Sequence, residues 1–187
     1  IWEGPLERLT ETENNQPAIL TTSVAFSRVL AHLGHVPDLV AGHSVGEYAA
    51  LVNAGVLDFA DAVRLVRLRG RVMQSAVPLG HGTMAALLAA REDVLPLCQE
   101  VSAEGFVVDP AGFNGPRQTV VAGHVSAVDA LIELAATRRI KAIKLNVSAP
   151  FHSTLLAGAG DELAKALRAV TIKAPRIPYV PNETAQV

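Results

Sequence analysis

Residues 37–54 constrain the fold more than any other stretch. Pro37-Asp-Leu-Val-Ala-Gly42 reads as a short buried strand, and a helix from about Val45 to Ala54, closed by Gly55, follows at once. Between them stands Gly42-His43-Ser44-Val45-Gly46, a Gly-x-Ser-x-Gly turn in the strand-to-helix setting that gives the pattern its meaning. A serine in such a turn sits on strained backbone, and a side chain at Gly42 or Gly46 is expected to collide with neighbouring main chain. Its hydroxyl stands above the sheet at a helix N-terminus, where the dipole and the Val45 amide favour a developing oxyanion. Ser44 is therefore the candidate nucleophile.

A nucleophilic serine needs a base, and the chain offers six histidines. His32 and His35 flank a helix end and read as surface or capping residues. His81 and His124 sit beside glycines in loops. His43 leaves the nucleophile turn in another direction and reads as lining the pocket. His152 follows Pro150-Phe151 at the end of an expected core strand, near the sheet's carboxyl edge, where open α/β folds place their sites. It is the best candidate for the base.

Arg69 is out of place on its helix. At about 100° per residue, Arg64, Arg67 and Arg71 fall on one side of the segment from Asp61 to Met73 and form a solvated face. Ala62, Leu65, Val66, Leu68, Val72 and Met73 cluster on the other, with Arg69 near their middle. A guanidinium there keeps its charge and needs a carboxylate or several carbonyls. The pattern leaves two readings open: a structural pair with Glu47 or another acid, or a fork for a substrate carboxylate.

Elsewhere, Pro17 to Gly34 reads as a helix with proline at its start and glycine at its end. Another helix runs from Phe59 to about Ala76. From His81 to Val147 the texture changes. Strands are expected at Thr83–Ala89, Gly105–Phe113, Gln118–Ala122 and Lys141–Val147, with helices at Glu92–Ala103 and Val125–Thr137. The Asn114-Gly-Pro-Arg117 turn signals a hairpin. This β-α-β-β-α-β order predicts a ferredoxin-like unit. Ser148-Ala-Pro-Phe-His152, a helix at about Leu155–Val170 and a strand at Arg176–Pro181 return to the core. The expected fold class is α/β: an α/β-hydrolase-like core with a parallel sheet over 1–78 and 148–187, and an inserted ferredoxin-like subdomain over 79–147.

The composition fits that architecture. Of 187 residues, 50% are hydrophobic and 18% charged, enough for a substantial core. A net charge of −2 and a pI near 6.3 argue against a nucleic-acid partner. The single cysteine, Cys98, forms no internal disulfide or thiolate metal cluster and suits a reducing, cytoplasm-like compartment. No long apolar run or signal peptide is found, so a soluble protein without a membrane partner is expected.

These residues resemble a known family, the malonyl-CoA:acyl-carrier-protein transacylases and the related acyltransferase domains of fatty acid and polyketide synthases. Gly42-His-Ser-Val-Gly-Glu-Tyr48 is similar to the nucleophile motif, and Leu68-Arg-Gly-Arg-Val-Met-Gln74 to the arginine-bearing helix. Asn114 to Gly123 and Ser148-Ala-Pro-Phe-His152-Ser resemble two further family stretches, and the likeness runs in order through the chain.

The resemblance implies that Ser44 accepts the acyl group from coenzyme A as an ester. It implies that His152 activates Ser44, oriented by a backbone carbonyl rather than an acid. Arg69 would pair with the malonyl carboxylate, and the Val45 amide would form half of an oxyanion hole. Phe151 is similar to the malonyl-selecting version, Met73 would line the acyl pocket, and His43 and Asn114 join the substrate-binding set. The implied partners are malonyl-CoA and an acyl carrier protein, and no cofactor or metal is called for.

Two competing readings remain. A serine esterase or thioesterase would use the same turn with an acid between serine and histidine, for which Asp109 or Asp129 could be nominated. A non-catalytic carrier-protein docking module is the other. The family begins with a strand and a Gly-Gln-Gly-x-Gln-like loop, and it ends with a strand, a helix and a second glutamine-bearing segment. None of these stands before Ile1 or after Val187, so a fragment of a longer protein is expected.

Overall fold

The computed structural model describes residues 1–102, 105–147 and 149–187. Ala103, the expected end of the helix begun at Glu92, and Ser148, the first residue of the stretch leading to His152, lie outside the described residues. The fold is α/β, with one parallel and one antiparallel sheet. The chain divides into two compact units: Ile1–Val72 with Glu162–Val187, and Met73–Asp161.

The first unit carries α1 (Leu6–Thr10), α2 (Thr12–His32), β1 (Val40–Ala41), α3 (Gly46–Asn53) and most of α4 (Phe59–Ala76). The end of α7 (Ala157–Arg168) and β6 (Tyr179–Val180) complete it. Its core joins Leu20 and Val24 of α2, Ala49 of α3, and Ala62, Leu65 and Val66 of α4, with Leu163 and Leu167 packed against them. These positions recur at helical spacing, so each helix turns one apolar stripe inward. A Cβ at Gly70 would lie 2.5 Å from the Thr12 carbonyl oxygen, so α4 meets the start of α2 backbone to backbone.

Two expectations change here. The helix expected to begin at Pro17 begins at Thr12. The Glu11 carbonyl accepts the Asn14 and Asn15 amides at 2.9 and 2.8 Å and anchors the helix upstream. Proline therefore falls in the second turn, where its missing N–H removes a single bond. The far end is as expected: Gly34 has φ +88°, and the His35 and Gly34 amides return to the Leu30 and Ala31 carbonyls. The strand expected over residues 37–42 is only Val40–Ala41, paired in parallel with Tyr179–Val180. It is not buried, for Ala41 is exposed and Leu39 is 47% exposed, because a two-stranded ribbon covers few of its own side chains.

The second unit holds β2 (Gly82–Leu87), α5 (Arg91–Val101), β3 (Val108–Gly115), β4 (Gln118–His124), α6 (Val125–Thr137) and β5 (Ala142–Lys144). The four strands form one antiparallel sheet in the order β3-β4-β2-β5. Central β2 is buried throughout, and its alternation sorts the two faces. Ala85 and Leu87 pack with Val94, Leu97, Val128 and Leu131 of α5 and α6, whereas Met84 and Ala86 pack with Val120, Leu145 and Phe151. The expected hairpin forms with Pro116 and Arg117 as its turn, while Asn114 and Gly115 remain in β3. Pro110 is tolerated because β3 is an edge strand.

Candidate active site

Ser44 lies between β1 and α3 with φ 55°, a left-handed conformation for a residue with a Cβ. Such backbone costs about 1–3 kcal/mol and persists only where the surroundings hold it. Three groups do so. The His43 carbonyl accepts the Gly46 amide at 2.9 Å, and the Ser44 carbonyl accepts the Glu47 amide at 3.2 Å. The Ser44 amide donates to Asn182 Oδ1 at 2.8 Å. Gly42 is required, since a Cβ there would overlap the Gly46 carbonyl and the Glu47 nitrogen. Gly46 is not, because a Cβ at that position meets nothing within 4 Å. The expected collision at both glycines is thus real only at Gly42. The turn makes its close approach through the strand-side glycine, whose Cβ would point into the helix start.

Arg69 of α4 is half-buried and reaches this turn. Its Nη2 donates to Ser44 Oγ at 3.0 Å, and its Nη1 donates to Gln16 Oε1 at 2.6 Å. Among the described residues no carboxylate pairs with it, so a partly desolvated cation is met by two neutral oxygens. Burial pulls its pKa below the usual arginine value, while Tyr48 and Glu47 act in the opposite direction. Burial likewise pushes the Tyr48 phenol up, with Arg69 countering it. Glu47, the candidate for a structural pair with Arg69, accepts the Asn182 amide at 3.1 Å instead. By accepting a bond from a cation, Ser44 Oγ keeps its own proton to donate elsewhere.

Arg64, Arg67 and Arg71 occupy the exposed face of α4. Arg64 pairs with Asp61 at 2.6 Å, and Arg67 and Arg71 approach Glu13 at 3.9 Å. His43 is exposed beside Ser44.

The remaining candidates lie in the second unit. His152 does not end a core strand, since β5 stops at Lys144. It occupies an exposed turn with φ 63°, flanked by bonds from the Phe151 amide to the Ala149 carbonyl and from Ser153 Oγ to the Pro150 carbonyl. Both Ser44 and His152 therefore stand on left-handed backbone, an arrangement that collects at functional sites. Phe151 packs on the sheet with Met84, Val120 and Ala122. Met73 is half-buried on α4, four residues after Arg69. Asn114 is exposed at the end of β3, 3.5 Å from Gln118.

The acids nominated for a hydrolase triad are engaged elsewhere. Asp109 Oδ2 accepts the Thr154 amide and hydroxyl at 2.8 and 2.7 Å, and Asp129 pairs with Lys144 at 2.5 Å. His124 is structural: its Nδ1 accepts the Val107 amide at 3.1 Å, and its ring meets Phe106 edge-on.

The family profile described as acyl transferase domain matches residues 1–186. The chain belongs to the acyl transferase domain family. Among its relatives is the malonyl CoA-acyl carrier protein transacylase of Escherichia coli O157:H7, 49% identical over 184 residues, which are 96% of this chain and 59% of the relative. The chain thus spans about three-fifths of that relative's length. It superposes on FabD from Acinetobacter baumannii with a TM-score of 0.92 and 46% identity, over 95% of this chain and 58% of that one. A structure titled PlMCAT:AntF, a type II PKS acyl-carrier protein in complex with its malonyl-transacylase, gives a TM-score of 0.94 and 43% identity. That match covers 99% of this chain and 60% of the other.

Two residues of this acyl transferase domain escaped the reading of its sequence. Gln16 is 5% exposed on α2, 53 positions from the Arg69 it contacts. A polar side chain in the apolar stripe Gln16, Leu20, Val24 was the available signal. Asn182, beyond β6, is 138 positions from Ser44, and nothing local marked it. No helix among the described residues is long and apolar enough to cross a membrane.

Proposed function

We propose that this acyl transferase domain is the serine-bearing part of an [acyl-carrier-protein] S-malonyltransferase. It moves a malonyl group from coenzyme A to the pantetheine thiol of an acyl carrier protein. Ser44 Oγ attacks the thioester carbonyl while His152 takes its proton, and the Val45 amide at the start of α3 stabilises the oxyanion. The C–S bond breaks, coenzyme A leaves as its thiol with the proton returned by His152, and a malonyl-seryl ester remains. The pantetheine thiol then attacks that ester with the same base, restoring Ser44.

The observation that carries this reading is Arg69 Nη2 at 3.0 Å from Ser44 Oγ, with no carboxylate in ion-pair contact with it among the described residues. In a malonyl thioester one methylene separates the carboxylate from the carbonyl under attack. A cation that fixes the carboxylate must therefore stand beside the nucleophile. Arginine binds a carboxylate through two parallel N–H bonds, and here the substrate would replace Ser44 as acceptor. Met73 and Phe151 are assigned to the acyl pocket, with His43 and Asn114 on the substrate path. Simple hydrolysis gives Arg69 no role, and it loses Asp109 and Asp129 as orienting acids.

The finer architecture belongs to the same proposal. The parallel β1–β6 pair, with the Ser44 turn at its carboxyl edge, is read as part of an α/β-hydrolase-like core over 1–78 and 148–187. The sheet order β3-β4-β2-β5 with both helices on one face supports a ferredoxin-like subdomain over 79–147. A single buried cysteine suits a reducing cytoplasm. Intact-mass spectrometry tests the central step. Malonyl-CoA should leave a malonyl adduct on the protein that disappears in Ser44→Ala, and an adduct surviving that substitution would move the nucleophile elsewhere.

A further inference from the structure

We infer that Asn182 is a positioning residue that holds the Ser44 turn in its reactive conformation, an inference that rests on Ser44 being the nucleophile. Val180 pairs with Ala41 in the parallel β1–β6 ribbon, so the chain after β6 leaves the same edge as the turn after β1. Asn182 stands two residues past that pairing and bonds both limbs of the turn. Its Oδ1 accepts the Ser44 amide at 2.8 Å, and its Nδ2 donates to the Gly42 carbonyl at 2.5 Å. Its own amide donates to Glu47 Oε1 at 3.1 Å, which fastens the same residue to the first turn of α3.

The partners fix which way the side-chain amide points, because an N–H can only donate and a carbonyl can only accept. Asparagine is also the shortest side chain that carries an acceptor and a donor on separate atoms. It bridges the Gly42 carbonyl and the Ser44 amide across His43, and so clamps the chain on the strand side of the residue whose φ is 55°. Aspartate lacks the donor for Gly42, and serine is too short to serve both groups.

The bond to Ser44 has a second consequence. With the Ser44 amide committed to Asn182, the amide one residue later is the donor the turn leaves for an oxyanion. Among the described residues no group accepts a hydrogen bond from the Val45 amide. Asn182 thus sets the direction of Oγ and separates the two neighbouring amides, one structural and one presented to substrate. Its action reaches substrate only through Ser44 and Val45.

Single-turnover acylation by malonyl-CoA in Asn182→Ala and Asn182→Asp tests this, since the near-isosteric aspartate preserves packing if alanine does not fold. Misaiming a nucleophile by about an ångström should slow acylation roughly 10- to 100-fold. The half-saturating malonyl-CoA concentration should stay within about twofold, and every molecule should still react at the end. A merely structural role would reduce the fraction of reactive molecules and leave their rate constant unchanged. That result, or a rate within about twofold of wild type in both variants, would overturn the inference. Ser44→Ala separates this failure from the larger one. An adduct independent of Ser44 removes the nucleophile assignment and this inference with it. A Ser44-dependent adduct formed at full rate without Asn182 removes only this one.

Discussion

At the scale of single residues, the Ser44 turn depends on what its neighbours lack. A left-handed serine brings β1 and α3 so close that Gly42 has no room for a methyl group, whereas Gly46 faces open space. Gly42→Ala should therefore destabilise the protein by about 1–3 kcal/mol or more, as overpacking does. Gly46→Ala should be neutral, or stabilising by up to about 1 kcal/mol through helix propensity. Urea denaturation of the two variants checks this, and equal losses would show that both glycines are steric. The pattern Gly-x-Ser-x-Gly was legible in the sequence, as was the anomaly of Arg69. The inequality of the two glycines was not, because it depends on where the next helix turn passes. Gln16 and Asn182 were hidden for a similar reason: their hydrogen-bond partners lie 53 and 138 positions away.

At the scale of elements, both boundaries of α4 are legible in the sequence, since Phe59 to Ala76 carries a clear apolar stripe and no internal proline. The α6 boundaries also emerged unchanged at Val125 and Thr137. The beginning of α2 is not legible in the sequence, because a proline fits a first turn and here stands in the second. The strand before Ser44 was overestimated because an apolar run does not reveal how much of it finds a partner. Contact between elements gives two predictions. Gly70→Ala would place a methyl group 2.5 Å from the Thr12 carbonyl and should cost about 1–3 kcal/mol by forcing α4 from α2. A melting curve unchanged from wild type would contradict that contact. In the core between the four-stranded sheet and its helices, burial pushes the Cys98 thiol up to about 11, with Asp109 adding to the shift. The unfolded chain loses this proton first, near its ordinary value of 9.0. Stability should therefore fall as pH rises from about 9 through 11. Denaturant titrations against pH should show that component vanish in Cys98→Ala, and an unchanged slope would assign it to another group.

At the scale of the whole molecule, composition and charge set only the broad class. The family followed from short motifs in the right order, and the profile match over residues 1–186 bears it out. In the proposed function, the cation beside Ser44 is what separates acyl transfer with carboxylate selection from other uses of a serine nucleophile. Arg69→Ala would leave a malonyl carboxylate desolvated without a partner, at a cost of about 2–5 kcal/mol in a buried site. That is at least a roughly 30-fold loss in kcat/KM. An acetyl group has no carboxylate to lose, and removing the guanidinium also removes its own desolvation cost. The decisive measurement is the ratio of kcat/KM for malonyl-CoA and acetyl-CoA in wild type and in Arg69→Ala. The ratio should collapse by at least roughly 30-fold, with acetyl transfer unchanged or improved. Equal losses with both substrates would make Arg69 a structural residue and contradict the assignment of carboxylate recognition.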